Sequence, residues 1–376
     1  MDSKRVLFVS SLRRFGGGER WMLDTASGLR ARGHDVRLVA APGSVLAARA
    51  PARGIPLTEI PIRGDVDAIA VAQLTALVRR NQPHVVVPIL EREIRLCAAA
   101  IRAARALGPR RLRPRLVPRR GSEFPLKDKR RYRLVYALEV ERVIVNSEAT
   151  RRNMMRDAPW FPESKAVVVY NGIDAEPYLA AAARRDELRA RLRSTIGVPG
   201  DAPVFTLVGE LHERKQHRVI IEAWPHVLER FPGAVALFVG DGADREQLEG
   251  VIAARGLGES IRLLGFHSDV ADILAGSDAL LLPSRVEGFG YVLVEAMAVG
   301  IPCIASNVSS IPEIVRDGET GILHPVGDTG AIVAAIDRVL SDPAGAAAMG
   351  QAGSRVALDT FTLSHMLDQV EHVLFD

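Results

Sequence analysis

Continuous apolar runs alternate with helical stretches along most of the chain. The first half reads RVLFVS at 5–10, a helical stretch over 19–31, DVRLVAA at 35–41, a helix near 67–80 and HVVVPIL at 84–90. Further apolar runs follow at 141–147 and 166–172. After a polar, Ala/Arg-rich helical stretch at 175–196 the rhythm restarts, with runs at 203–209, 234–240, 261–266, 279–284 and 301–306. Strands buried on both faces read as unbroken Val/Leu/Ile runs, so this pattern predicts parallel sheets covered by helices. Two such repeats predict an α/β chain of two Rossmann-like, doubly wound domains with a ligand cleft between them. The expected boundaries are 1–170 and 171–360, with a last helix in 361–376 that can return to the N-terminal domain.

Length agrees with that division, because 376 residues exceed what one core holds efficiently. A 48% hydrophobic and 25% charged composition is that of a folded globular chain rather than a disordered one. The apolar run before Ser10 is too short for a signal-peptide core, and no window supplies the roughly 18 apolar residues of a membrane span. Cys97 and Cys303 are too few for a disulfide framework or a zinc site, which makes a reducing cytoplasm the simplest setting.

The net charge of +4 hides an asymmetry. Between Arg102 and Arg133, thirteen Lys/Arg face only Glu123 and Asp128, a local excess of eleven that leaves the rest of the chain net negative. Arg111, Arg113, Arg119 and Arg120 are the candidates in this segment for binding an anionic acceptor or an anionic membrane surface, where a cation contributes on the order of 1 kcal/mol. The alternative is a solvated face whose cations pair with acids elsewhere.

Two glycine-bearing loops carry the candidate chemistry. Gly16, Gly17 and Gly18 follow the first strand and open a helix, where close backbone approach and a positive helix end suit an anion. A plain strand-to-helix turn reads the same way. The stronger pattern is Pro283-Ser284-Arg285-Val286-Glu287-Gly288-Phe289-Gly290, followed by a helix carrying Glu295. Backbone N–H groups of Gly288, Phe289 and Gly290 can face phosphates there, while the two carboxylates accept hydrogen bonds from ribose or sugar hydroxyls. Glu287 alone can be explained by a favourable charge at a helix N-terminus. Glu295 sits among Tyr291, Val292, Leu293, Val294, Ala296 and Met297, where a carboxylate without a purpose is costly.

In this ordered set the chain resembles the retaining GT-B glycosyltransferases of family 4, including members that build lipopolysaccharide cores. The resemblance extends over the glycine loop at 16–18, the strand Val143–Ser147, Asn171-Gly172-Ile173-Asp174, Gly240-Asp241-Gly242, and Glu287 and Glu295 with seven residues between them. It implies that Glu295 binds the donor ribose, that Glu287 contacts the transferred sugar, and that Lys215 neutralises the departing diphosphate. It also implies a nucleotide-sugar donor, a saccharide or glycolipid acceptor, and no cofactor or metal. Two departures stand out. Glu210 occupies the position of the family's usual arginine, leaving Arg214 beside Lys215 as the candidate second cation, and the N-terminal histidine of many relatives has no match. The stretch Val117–Glu123 carries arginines in that region instead.

Other readings have less support. A nicotinamide dehydrogenase needs the full G-x-G-x-x-G fingerprint, which neither glycine cluster provides. Asp65-Val66-Asp67 has the form of a metal-nucleotide motif but precedes a helix, where Asp serves as a cap. No His/Asp/Glu spacing suggests a metal site. A non-catalytic nucleotide-sugar sensor on a degenerate fold, or a binder of anionic polymers, remains the second reading, with no motif for specific nucleic-acid recognition.

Overall fold

The computed structural model describes residues 2–107, 113–121 and 124–376. The chain forms two compact units: one runs to Gly172 and takes in Leu363–Asp376, and the other is Ile173–Thr362. Both are α/β.

In the first unit, β1 (Arg5–Ser10), β2 (Asp35–Ala40), β3 (Leu57–Glu59), β4 (Val85–Pro88) and β5 (Arg115–Leu116) form a parallel sheet in the order β3-β2-β1-β4-β5. The chain steps outward from β1 to β3 and then returns to place β4 on the other side of β1, so the switch point lies between β1 and β4. A second parallel sheet holds β6 (Arg119–Arg120), β7 (Val143–Val145) and β8 (Ala166–Val168).

Strand β1 explains why these runs are unbroken. Val6 and Phe8 pack against Trp21, Leu29, Met366 and Val370 on one face, while Leu7 and Val9 meet Leu74, Ile94 and Ile101 on the other. The C-terminal helix Leu363–Phe375 belongs to this unit and packs against the helix Gly17–Ala31. Glu371 fixes it there, accepting from Arg32 at 2.7 Å and lying 2.9 Å from His34 Nε2.

In the second unit, β9 (Val204–Val208), β10 (Val235–Val239), β11 (Ile261–Gly265), β12 (Ala279–Leu282), β13 (Cys303–Ser306) and β14 (Gly321–His324) are parallel in the order β11-β10-β9-β12-β13-β14. Its switch point lies between β9 and β12. Phe205 and Leu207 pack with Ile220, Trp224 and Ile332, and Val204 on the opposite face packs with Leu192, Ile196 and Ile273.

Gly240, at the end of β10, has φ +138°, and a Cβ there would lie 2.0 Å from the carbonyl oxygen of Gly209. A Cβ on Gly242 would lie 2.3 Å from the carbonyl oxygen of Leu211. The glycines of this motif let two backbones touch beside the loop that carries Lys215. Among the described residues no helix is long and apolar enough to cross a membrane. Cys97 and Cys303 are both buried.

Candidate active site

Lys215 and Glu287 meet across the switch point of the second sheet. Strand β9 ends at Val208 and leads to a short turn, Glu213–Lys215, after which Gln216 adopts a left-handed conformation and the helix His217–Arg230 begins. The stem of Lys215 crosses Gly209, where a Cβ would stand 3.2 Å from Lys215 Cε. Its ammonium reaches Glu287 Oε2 at 2.5 Å. Side-chain exposures of 21% and 14% place the pair at the wall of the site rather than in open solvent.

Glu287 is held by a set of serines. Ser284 Oγ donates to its Oε2 at 3.3 Å, Ser309 Oγ accepts its backbone N–H at 3.4 Å, and Ser310 Oγ donates to its carbonyl oxygen at 3.2 Å. Ser310 also reaches the carbonyl oxygen of Phe289 at 3.2 Å, and Ser306 Oγ donates to that of Ser284 at 2.5 Å. The loop after β12 is therefore fixed by hydroxyls following β13. Sequence reasoning did not single out Ser306, Ser309 or Ser310.

The helix Tyr291–Val299 starts after Gly290, whose φ of +87° makes the sharp entry that an L side chain resists. Its N-terminus carries partial positive charge toward the loop of Glu287, Gly288 and Phe289. Glu295 lies in its second turn with 5% of its surface exposed. A buried carboxylate, an ion pair and a positive helix end thus collect on one edge of the sheet. Such a set can take a diphosphate and the hydroxyls attached to it.

Arg214 is exposed and stands 3.9 Å from Glu210. The acid at the usual arginine position thus faces the neighbouring arginine. Its carbonyl oxygen accepts the N–H of Arg285 at 2.9 Å, and Arg285 pairs with Glu213 at 2.9 Å, tying together the loops that carry Lys215 and Glu287. Beside Lys215, His217 is buried with its ring edge-on to Phe238. Burial, helped by the charge of Lys215, pushes its pKa down to about 4, so it is neutral near pH 7.

The first unit has its own polar cluster at its switch point. The loop of Gly16, Gly17 and Gly18 follows β1, and Glu19 Oε2 accepts the N–H of Gly16 at 3.0 Å, reaching back over the start of its helix. Burial raises the pKa of Glu19, against the lowering influence of its backbone hydrogen bonds and of Arg119. After β4, Glu93 accepts the N–H groups of Ser11, Ile89 and Leu90 at 2.5, 3.0 and 2.9 Å and the Ser11 hydroxyl at 2.7 Å. Neither glutamate was singled out in the sequence, where each looks like an ordinary first-turn acid.

The basic segment requires a correction. Arg119 and Arg120 are 3% and 5% exposed, so neither can meet a membrane surface. Arg119 lies in β6 with its guanidinium 5.1 Å from the Trp21 ring and donates to Asn171 Oδ1 at 3.1 Å. Arg120 pairs with Glu91 and donates to the carbonyl oxygen of Phe124 at 2.7 Å. Side chains alternate across a strand, so these adjacent arginines serve different interior partners. Arg102 and Arg105 share Glu139, Arg115 pairs with Glu141, and Arg133 binds Asp128 with two hydrogen bonds. Much of the segment is thus paired with acids. Arg113 is exposed, and Arg111 lies outside the described residues.

Asp67 caps the helix Ala68–Asn81, accepting from Ala70 N–H and Arg63 N–H at 2.9 Å each, as the capping reading expects. Asp65 pairs with Arg95. Among the described residues no group of three or more His, Cys, Asp or Glu side chains is placed to hold a metal ion.

The model of the glycosyl transferases group 1 matches residues 189–356, and that of glycosyltransferase family 4 matches 15–177. The chain belongs to this glycosyltransferase family. Among curated relatives, N-acetyl-alpha-D-glucosaminyl L-malate synthase of Bacillus anthracis is 29% identical over 215 residues, covering 57% of this chain and 55% of that protein. The GDP-mannose-dependent alpha-(1-6)-phosphatidylinositol monomannoside mannosyltransferase of Mycolicibacterium smegmatis is 34% identical over 205 residues, covering 50% of this chain and 51% of the relative. The chain spans about half the length of the curated relatives it matches. Anabaena HepE, solved with UDP and glucose, superposes with a TM-score of 0.83 at 21% identity over 99% of both chains. That likeness establishes the fold, two Rossmann-like domains of GT-B type.

Proposed function

We propose that the protein transfers a sugar from a nucleoside diphosphate sugar to a hydroxyl of a saccharide or glycolipid, with retention of anomeric configuration and without a resident metal or cofactor. The observation that carries this reading is the Lys215–Glu287 pair beside a helix N-terminus and the buried Glu295. Glu295 binds the ribose, Glu287 the transferred sugar, and Lys215 the diphosphate. Gly288, Phe289 and Gly290 supply backbone to the phosphates. In the first unit, Gly17 and Gly18 open a second helix N-terminus suited to an anionic portion of the bound substrates.

The reaction breaks the bond between the anomeric carbon and the phosphate oxygen, and the electron pair stays with the diphosphate. Lys215 and the N-terminus of the Tyr291–Val299 helix meet that growing charge, which lowers the barrier directly. Arg214 adds charge when it turns from Glu210. The acceptor oxygen then bonds to the anomeric carbon on the face the diphosphate leaves, and its proton passes to the phosphate oxygen. No covalent enzyme intermediate is needed, so Glu287 orients and stabilises the sugar. Retention rests on the family resemblance.

Support for a glycolipid acceptor comes from the mannosyltransferase relative, whose name specifies a phosphatidylinositol monomannoside. An anionic cell-envelope glycolipid, handled at the cytoplasmic face of a membrane, is the acceptor class we favour. The test is a transfer assay with UDP- and GDP-sugars against glycolipid and saccharide acceptors, reading product configuration by NMR. An α-donor should give an α-linked product; a β-linked product overturns retention, and binding without turnover overturns the enzyme reading in favour of a sensor.

A further inference from the structure

A second cavity opens at the opposite edge of the first sheet. Parallel strands β1, β4 and β5 begin side by side, with Val6 paired to Val85 and Val85 to Arg115. Around these starts, Lys4, Arg5, Pro83, His84, Arg113, Arg115, Leu374 and Phe375 enclose a volume of about 350 Å³. Ligands of such sheets ordinarily bind at the carboxyl ends of the strands, the edge from which the Gly16–Gly18 loop and Glu93 arise. This cavity lies at the amino ends.

Its lining holds four cations and a histidine, and no carboxylate. Part of that charge has an internal task. Arg5 Nε donates to the carbonyl oxygen of Gln82 at 2.8 Å, just past the helix Ala68–Asn81, and Arg115 Nη1 donates to that of Leu374 at 2.8 Å, at the end of the C-terminal helix. Cations at helix C-termini stabilise them. Arg115 also pairs with Glu141 at 2.8 Å. The same account does not cover Lys4 and Arg113, whose side chains have no acidic partner among the described residues. His84 adds direction. Its Nδ1 accepts the N–H of Arg5 at 2.9 Å, which leaves Nε2 to carry the proton as a donor. Phe375, half-buried over Pro83 and Leu374, supplies the apolar wall.

We propose that this cavity is a second binding site, for a small phosphorylated organic molecule whose phosphate meets Lys4, Arg113 and His84 and whose carbon frame lies on Phe375. The volume suits a molecule of nucleoside monophosphate size, since small-molecule pockets start at about 300 Å³. Unpaired cations around an oriented donor give phosphate charge-assisted hydrogen bonds. In the free protein, burial and then the charges of Arg5 and Lys4 hold the His84 pKa below its ordinary value. A bound phosphate opposes that influence and raises it. The phosphate can belong to a soluble metabolite or to a lipid headgroup, and the probes below separate the two.

The test follows the His84 imidazole by NMR, assigned from its disappearance in His84→Gln, while AMP, inorganic pyrophosphate or dihexanoyl-phosphatidylglycerol below its micelle concentration is added. The resonance of His212, beside Lys215, reports binding in the other unit separately. Saturable movement of His84 with AMP or pyrophosphate identifies a soluble ligand class, and movement with the lipid alone identifies a headgroup. In Lys4→Gln/Arg113→Gln, the saturating concentration should rise by about tenfold or more, while His212 responds to AMP as in the wild type. Neither substituted side chain makes an ion pair among the described residues, so the variant should fold, which its unchanged melting temperature would verify. If no probe moves His84 at millimolar concentration, or if the double variant binds as tightly as the wild type, the cavity is not a phosphate site.

Discussion

Lys215 Nζ lies 2.5 Å from Glu287 Oε2, and the two residues come from the loops after β9 and β12, the strands that flank the switch point of the second sheet. The ion pair holds the lysine at the wall of the site before any diphosphate arrives. Under the proposed function, a donor phosphate would compete with the carboxylate for the ammonium and free Glu287 toward sugar hydroxyls. Replacing Lys215 by Gln should lower kcat by roughly 100- to 1000-fold, the cost of removing one donor at a developing charge. Steady-state kinetics check this, and a variant with wild-type kcat and raised KM would make Lys215 a binding residue only.

Gly240 is required by contact rather than by flexibility. A Cβ there meets the Gly209 carbonyl at 2.0 Å in a backbone conformation of φ +138°. Gly240→Ala should destabilise the second unit by roughly 2–4 kcal/mol through strain and displaced backbone. Urea denaturation followed by tryptophan fluorescence measures it; an unchanged midpoint contradicts the packing account.

Arg119 and Arg120 are interior residues, so their loss should be felt as stability. Arg119→Gln and Arg120→Gln should each lower stability by roughly 1–3 kcal/mol, because the buried Asn171 and the half-buried Glu91 lose charged partners. Neither substitution should change binding to vesicles containing anionic lipid. Weakened vesicle binding by a variant that melts like the wild type would return these arginines to the surface.

His217 makes stability depend on pH. With its pKa pushed down to about 4 in the fold against an ordinary 6.5, the unfolded chain takes up the proton first as pH falls. Its contribution is present above about pH 6.5 and is lost progressively toward pH 4, on the order of 3 kcal/mol in all. Comparing wild type with His217→Gln between pH 7 and pH 4.5 isolates that contribution, since other titrations are common to both. Equal losses in the two proteins would show that the imidazole is not held neutral.

How much of this was legible in the sequence depended on burial on both sides of a strand. β1, β4, β9, β10 and β12 announced themselves because each feeds two cores. β3 and β5 are short edge strands with polar residues, and β14 is an edge strand containing His324, so no run marked them. β6 is two arginines long, and arginine in a strand reads as surface until a cation-accepting ring and a buried amide are seen beside it. The carboxylate pair was visible because Glu295 sits inside an apolar helix. Ser306, Ser309 and Ser310 were invisible, since they lie at the end of or after β13 and only the fold brings them near Glu287. The Gly240-Asp241-Gly242 motif could be recognised, but the reason for its glycines is a backbone contact with 209–211, which spacing does not encode.

The central claim is that the pocket of Lys215, Glu287 and Glu295 binds a nucleoside diphosphate sugar. Thermal shift with a panel of UDP-, GDP- and ADP-sugars, run on wild type and Glu295→Gln, tests it most directly. One donor should raise the melting temperature of the wild type, by mass action on the folded state. In the variant its affinity should fall by roughly 10- to 100-fold, the loss of a charged acceptor for ribose hydroxyls. Stabilisation of equal size in both proteins, or by no nucleotide sugar at all, would contradict the account.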